Sequence, residues 1–181
     1  INEPLAFGAM EVRTGAIKPD QFGTFLDRVA DAHRAVYLAS HDADPKAKVT
    51  TNEAYIPPEV LAQFAGFGIK GIDGSFFDRV RDSLDYLGFD YYTGTAEDNP
   101  ASAQSMAQRW SIKLQPEDIY YVARHYAQQY PGLPIYVVEN GMVTDNGKPR
   151  SDGVTRSQYL SDTVFWLQRA KADGIPIIGY N

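Results

Sequence analysis

Cysteine is missing altogether from these 181 residues, which excludes disulfides, thiolate nucleophiles and Cys-held metals and leaves the redox compartment open. No run approaches the roughly 18 consecutive apolar residues that a membrane span needs. Positive charge is in short supply: 17 Lys and Arg stand against 23 Asp and Glu, a net charge of -6. Such a chain is a poor match for nucleic acid or an anionic membrane surface, and small neutral ligands suit it better. His33, His41 and His125, the 3 histidines, fall on predicted helices without ligand spacing, so they read as structural and no metal site or cofactor is expected. No charged-then-apolar leader opens the chain, so the cytoplasm is the default expectation. Because it begins at Ile1 and ends at Asn181 just after a strand-like run, both ends read as cut from something longer. Oligomeric state is left open.

What is present is a globular composition, 44% hydrophobic and 13% aromatic, in a length suited to one domain. Ile1-Asn2-Glu3 reads as the tail of a strand, with Pro4 stopping the ladder and forcing a loop. Phe22, Leu26, Val29, His33, Val36 and Tyr37 recur at helical spacing from Asp20 to about Ser40. A short strand is expected over 48–51, and a helical face at Phe76, Phe77, Val80, Leu84 and Leu87. Leu87 to Thr93 is aromatic enough for a strand, and Pro116 with its neighbouring acids opens a helix that Pro131-Gly132 ends. Ile135 to Glu139 is a buried strand, followed by Asn140-Gly141, a pair that tolerates positive φ and signals a turn. A last helix carries Tyr159, Leu160, Val164, Leu167 and Ala170, and Ile175 to Tyr180 is a final strand.

This alternation of strand and helix predicts a parallel sheet with right-handed crossovers, either a closed (β/α)8 barrel or an open doubly wound sheet. Both place functional residues at the carboxyl ends of strands. Those ends here are Asn2-Glu3, Asn52-Glu53, Asp90-Tyr91-Tyr92 and Glu139-Asn140, a set dominated by carboxylates. Alone, Glu139 would read as the first solvated residue after a strand; a second carboxylate suits glycoside hydrolysis, which needs one acid and one nucleophile or base.

Asn2-Glu3-Pro4 and Glu139-Asn140-Gly141, in that order at strand ends, resemble the two signature sequences of glycoside hydrolase family 1, the β-glucosidase and β-galactosidase family. Leu87-Gly88-Phe89-Asp90-Tyr91-Tyr92 resembles the family's sixth strand. Asp152, Arg156, Tyr159 and Leu160 resemble the opening of its seventh helix, and Gly174 with Gly179-Tyr180 the approach to and first half of its eighth strand. The resemblance implies an incomplete TIM barrel, from about the end of strand four through strand eight, with residues 1–181 forming the C-terminal portion of one catalytic domain. It further implies a retaining β-glycosidase acting without a cofactor on terminal β-linked glucosyl or related residues, in oligosaccharides or aryl glycosides. Glu139 would be the nucleophile, Glu3 the general acid/base, Asn2 a contact to the sugar 2-hydroxyl and Tyr92 a hydrogen-bond donor that aims Glu139. Asp90, in the substrate-binding region, stands where most members carry Asn, and Val138 where many carry Thr. Asp90 would add negative charge near Glu139 and so bear on sugar preference and pH optimum. The segment between strands five and six is shorter than usual, which would open the aglycone side.

Gly66-Phe67-Gly68-Ile69-Lys70-Gly71 spells a dinucleotide fingerprint, with Asp90 roughly 20 residues on. The preceding residues, with Ala and Gln and no clean alternation, read as a short helix or loop and not as the strand that fingerprint requires. A dinucleotide-binding α/β domain is therefore the remote alternative. The nearer one is an inactive partial barrel or a non-catalytic carbohydrate-binding or interaction protein. Glu53 reads as structural or peripheral, and Tyr120, Tyr121, Tyr126 and Tyr130 as helix packing.

Overall fold

Pro4 opens a helix and not a loop. Its missing N–H is one of the donors that no helix start can satisfy internally, and its fixed φ suits the first helical position, so α1 runs Pro4–Thr14. Gly15, at φ 79, closes α1 by donating to the Glu11 and Val12 carbonyls. The computed structural model describes residues 1–56, 69, 74–92 and 113–181. They divide into two compact units, Ile1–Phe89 and Asp90–Asn181. The glycine-rich segment of residues 66–71, apart from Ile69, lies outside the described residues, as does most of 59–74.

In the first unit a 3-10 turn, Pro19–Gln21, leads into α2, Phe22–Ala43. Phe22, Leu26, Ala30 and His33 form its buried stripe; of the expected face Phe22, Leu26 and His33 lie inside, while Val29 and Tyr37 are half-buried and Val36 is exposed. His33 Nε2 donates to the Ser83 carbonyl at 2.7 Å, and His41 Nε2 donates to Asp85 Oδ2 at 2.9 Å. The strand expected over 48–51 forms slightly later, as β1, Asn52–Ala54. The residues ahead of it are held largely by side chains: Val49 N–H donates to Asp85 Oδ2 at 2.7 Å and Thr50 Oγ1 to the Tyr86 carbonyl at 2.6 Å. The expected first strand shrinks to one parallel bridge between Asn2 and Asn52, because α1 begins at once. The helical face from Phe76 is shorter than its apolar spacing promised. α3 is Phe76–Val80, a 3-10 turn covers Arg81–Ser83, and Leu87 already belongs to β2, Leu87–Tyr91.

In the second unit α4, Asp118–Gln129, precedes β3, Ile135–Asn140, and α5, Arg156–Ala172, precedes β4, Ile177–Tyr180. Thr155 caps α5, accepting from Gln158 N–H while the Gln158 side chain accepts from Thr155 N–H. The buried face of α5 is Tyr159, Thr163, Leu167 and Ala170. Leu160, expected inside, is exposed, and Thr163 takes an inner position because its hydroxyl donates to the Tyr159 carbonyl at 2.8 Å. β3 and β4 pair in parallel, with Ile135 opposite Ile177 and Val137 opposite Tyr180. Strands alternating with helices, parallel where they pair, make an incomplete (β/α)8 barrel. Among the described residues no helix is long and apolar enough to cross a membrane.

Gly179 permits the β3–β4 approach, since a Cβ there would lie 2.1 Å from the Tyr136 ring. Gly179→Ala should lower unfolding stability by about 1–3 kcal/mol, the usual penalty of overpacking. Urea denaturation checks this, and an unchanged midpoint would contradict the close packing.

Candidate active site

Each carboxylate proposed from the sequence is held by its own unit. In the first, Glu3 is the residue before α1 and sits at φ 38, ψ 62, a left-handed conformation uncommon for a residue with a Cβ. Such a conformation costs roughly 1–3 kcal/mol and persists only where neighbours over-determine it. They do so here. Glu3 N–H donates to the Asn52 carbonyl at 2.9 Å, and the Glu3 carbonyl accepts the first-turn N–H of Phe7 at 2.9 Å. Thr51 Oγ1 and Asn52 N–H both donate to the Ile1 carbonyl, at 2.8 and 3.3 Å. Asn52 Nδ2 donates to Asn2 Oδ1 at 2.7 Å. At this turn Glu3 is half-buried and Asn2 exposed.

In the second unit the end of β2 and the end of β3 meet. Tyr92, 36% exposed, donates its phenol proton to Glu139 Oε2 at 2.7 Å. Asp90 is 1% exposed, and the fully buried Tyr91 donates to the Gln115 carbonyl. Asn140, which the sequence reading placed in a turn, ends β3 instead, and neither it nor Gly141 takes a positive φ. Its amide explains the extended backbone. Nδ2 donates to the Tyr91 carbonyl at 2.7 Å and to the Tyr159 hydroxyl at 2.9 Å, while Oδ1 accepts from the Tyr180 hydroxyl at 3.0 Å. Burial raises the pKa of both phenols, so they stay neutral donors and acceptors at ordinary pH. Sequence reasoning gave Asn140 no role of its own; the signal available was its place beside Glu139 at a strand end.

The loop after β3 is anchored by Arg150, which is buried and reaches Asp152 through Nε at 3.1 Å and Nη2 at 2.7 Å. Its Nη1 donates to the Val143 carbonyl at 3.0 Å. The Arg150 guanidinium holds the Asp152 carboxyl below its usual range.

Glu53 faces the interior of the first unit at 2% exposure, where it accepts from Ser75 Oγ at 2.5 Å and Phe76 N–H at 2.9 Å. It ties β1 to the start of α3. Tyr126 and Tyr130 pack inside as expected, but Tyr120 and Tyr121 line an outer hollow of about 380 Å³ with Arg124, Phe165 and Trp166.

Burial raises the Glu53 carboxyl from 4.5 to about 7, against the hydrogen bonds that favour its charged form. The folded state therefore keeps a proton that the unfolded chain loses. This group's contribution is most favourable below the unfolded pKa of 4.5 and declines as pH rises toward about 7, where the deficit becomes complete. Glu53→Gln should flatten that decline, narrowing the stability difference between pH 5 and pH 8 by on the order of 1–3 kcal/mol. Chemical denaturation at the two pH values tests this; parallel pH profiles would contradict it.

The sequence model of a family described as glycosyl hydrolase family 1 matches residues 70–181. A 1,4-beta-D-glucan glucohydrolase of Thermotoga neapolitana is 25% identical over 139 residues, covering 68% of this chain and 32% of that protein. A beta-galactosidase of Sulfolobus acidocaldarius is 30% identical over 154 residues, covering 71% of this chain and 30% of its own length. Among solved structures, a beta-glucosidase from Thermotoga maritima in complex with cyclophellitol superposes with a TM-score of 0.67 at 17% identity. That superposition covers 99% of this chain and 52% of the other, and it shows the fold. The chain thus spans about a third of the length of these curated relatives and about half that of the solved structure.

Proposed function

The chain belongs to glycosyl hydrolase family 1, and from that membership we propose that the whole protein is a retaining β-glycosidase, with residues 1–181 forming the later part of one (β/α)8 catalytic domain. Glu139 is the nucleophile and Glu3 the general acid/base. The observation that carries this reading is the 2.7 Å bond from the Tyr92 hydroxyl to Glu139 Oε2 at the ends of two strands. A carboxylate held by a neutral donor on one oxygen is aimed, and its other oxygen is available to a reacting carbon.

In the first step Glu139 attacks the anomeric carbon while Glu3, as the acid, protonates the departing glycosidic oxygen, and the aglycone leaves. In the second, Glu3 as carboxylate takes a proton from water, whose oxygen displaces Glu139 and releases the sugar with its anomeric configuration retained. Asn2 donates to the sugar 2-hydroxyl, where hydrogen bonds strengthen in the oxocarbenium-like transition state. Asp90 lies on β2, two residues ahead of Tyr92, and contributes to the sugar-binding region. The substrate class is a terminal β-glucoside or a related glycoside, including aryl glycosides. The relatives' names support that class: a glucan glucohydrolase and a beta-galactosidase are among them.

Glu139→Gly should abolish hydrolysis of an aryl β-glucoside by the whole protein, with partial rescue by azide and an α-glycosyl azide as product. Full activity in this variant would remove Glu139 from the nucleophile role. Tyr92→Phe should lower kcat/KM by about 10- to 100-fold while leaving the fold intact, as expected for loss of one hydrogen bond to a charged group. Steady-state kinetics beside circular dichroism separates the two effects, and unchanged kcat/KM would deny Tyr92 its aiming role.

A further inference from the structure

An amide has two unlike ends, and which end meets a ligand depends on what holds the other. Asn2 is exposed beside Glu3, and its Oδ1 accepts from Asn52 Nδ2 at 2.7 Å. With the oxygen engaged, the Nδ2–H2 donors are the part of Asn2 left for a ligand. Asn52 is well placed to enforce this. It is only 9% exposed, lies in β1, and fixes the same short segment a second time through its carbonyl, which accepts Glu3 N–H at 2.9 Å. Together with the Asn52 N–H donation to the Ile1 carbonyl at 3.3 Å, that bond makes the parallel bridge between Asn2 and Asn52, which keeps the two backbones side by side.

We propose that Asn52 is a positioning residue that sets the polarity of Asn2, holding its carboxamide so that a sugar hydroxyl meets the N–H donors and not the carbonyl oxygen. The inference rests on the reading of Asn2 as the contact to the sugar 2-hydroxyl. It makes Asn52 a determinant of specificity for sugars that carry a hydroxyl at that carbon, although Asn52 itself touches no substrate. A hydroxyl oxygen accepts from Asn2 Nδ2; a sugar lacking that hydroxyl gains nothing from the arrangement.

The test uses the whole protein and the near-isosteric Asn52→Asp. Ionised Asp offers only acceptors, so Asn2 turns its Nδ2 inward to donate to it and presents Oδ1 outward. On an aryl β-glucoside, Asn52→Asp should lower kcat/KM by about 10- to 100-fold, chiefly through kcat, because the lost bond strengthens in the transition state. On the corresponding 2-deoxy glycoside the change should stay within about twofold, a selectivity that general damage to the fold would not produce. In an Asn2→Ala background the further change Asn52→Asp should have little additional effect. Equal losses on both substrates, or no loss on either, would overturn the role of Asn52. Wild-type activity that survives Glu139→Gly, or that does not distinguish the two substrates, would instead overturn the reading of the site on which this role depends.

Discussion

The carboxamide of Asn140 uses both of its ends within the second unit, donating to the Tyr91 carbonyl and the Tyr159 hydroxyl and accepting from the Tyr180 hydroxyl. One side chain therefore joins the ends of β2, β3 and β4 and the first turn of α5. A parallel sheet brings its strand ends to one edge, where ladder hydrogen bonds run out and loops begin. Asn140, the last residue of β3, adds side-chain ties at that edge. Glu139 precedes it, and Tyr92 follows the residue whose carbonyl it grips. The 2.7 Å bond between Tyr92 and Glu139 is made between two backbones that Asn140 has already fixed.

The first unit solves a similar problem with successive residues of β1. Side chains alternate across a strand, so Asn52 and Glu53 serve opposite faces. Asn52 reaches Asn2 and stabilises the left-handed turn at Glu3, while Glu53 turns inward to the start of α3. The two-letter likeness of Asn52-Glu53 to Asn2-Glu3 thus conceals different physics. One carboxylate is half-buried at a helix start, and the other is enclosed and retains a proton up to about pH 7.

The alternating order of elements was legible because long stretches obey one period. Ile135 to Val138 favours extended structure throughout, and Phe22, Leu26 and His33 mark a helical face, although Val36, counted on the same face, is exposed and Ala30 is buried instead. The misreadings came from residues whose local meaning depends on position. Pro4 breaks a strand but is welcome at the first position of a helix, so α1 went unseen. Asn140-Gly141 is a turn pair in isolation, yet three side-chain partners distant in sequence hold Asn140 extended. Thr163 is polar, and only its bond to the Tyr159 carbonyl lets it replace Leu160 on the buried face. For the candidate site, short motifs named Asn2, Glu3, Tyr92 and Glu139; the hydrogen-bonding duties of Asn52 and Asn140 needed coordinates, because periodicity carries no record of which amide reaches which strand.

The claim on which the functional account depends is that Glu139 becomes covalently bonded to sugar. Treating the whole protein with an activated 2-deoxy-2-fluoro-β-glucoside, which slows release of the glycosyl group more than its formation, and mapping the labelled peptide by mass spectrometry tests that claim directly. The account predicts a single fluoroglycosyl ester on Glu139. A label on another residue, or continued full activity with no ester formed, would contradict it.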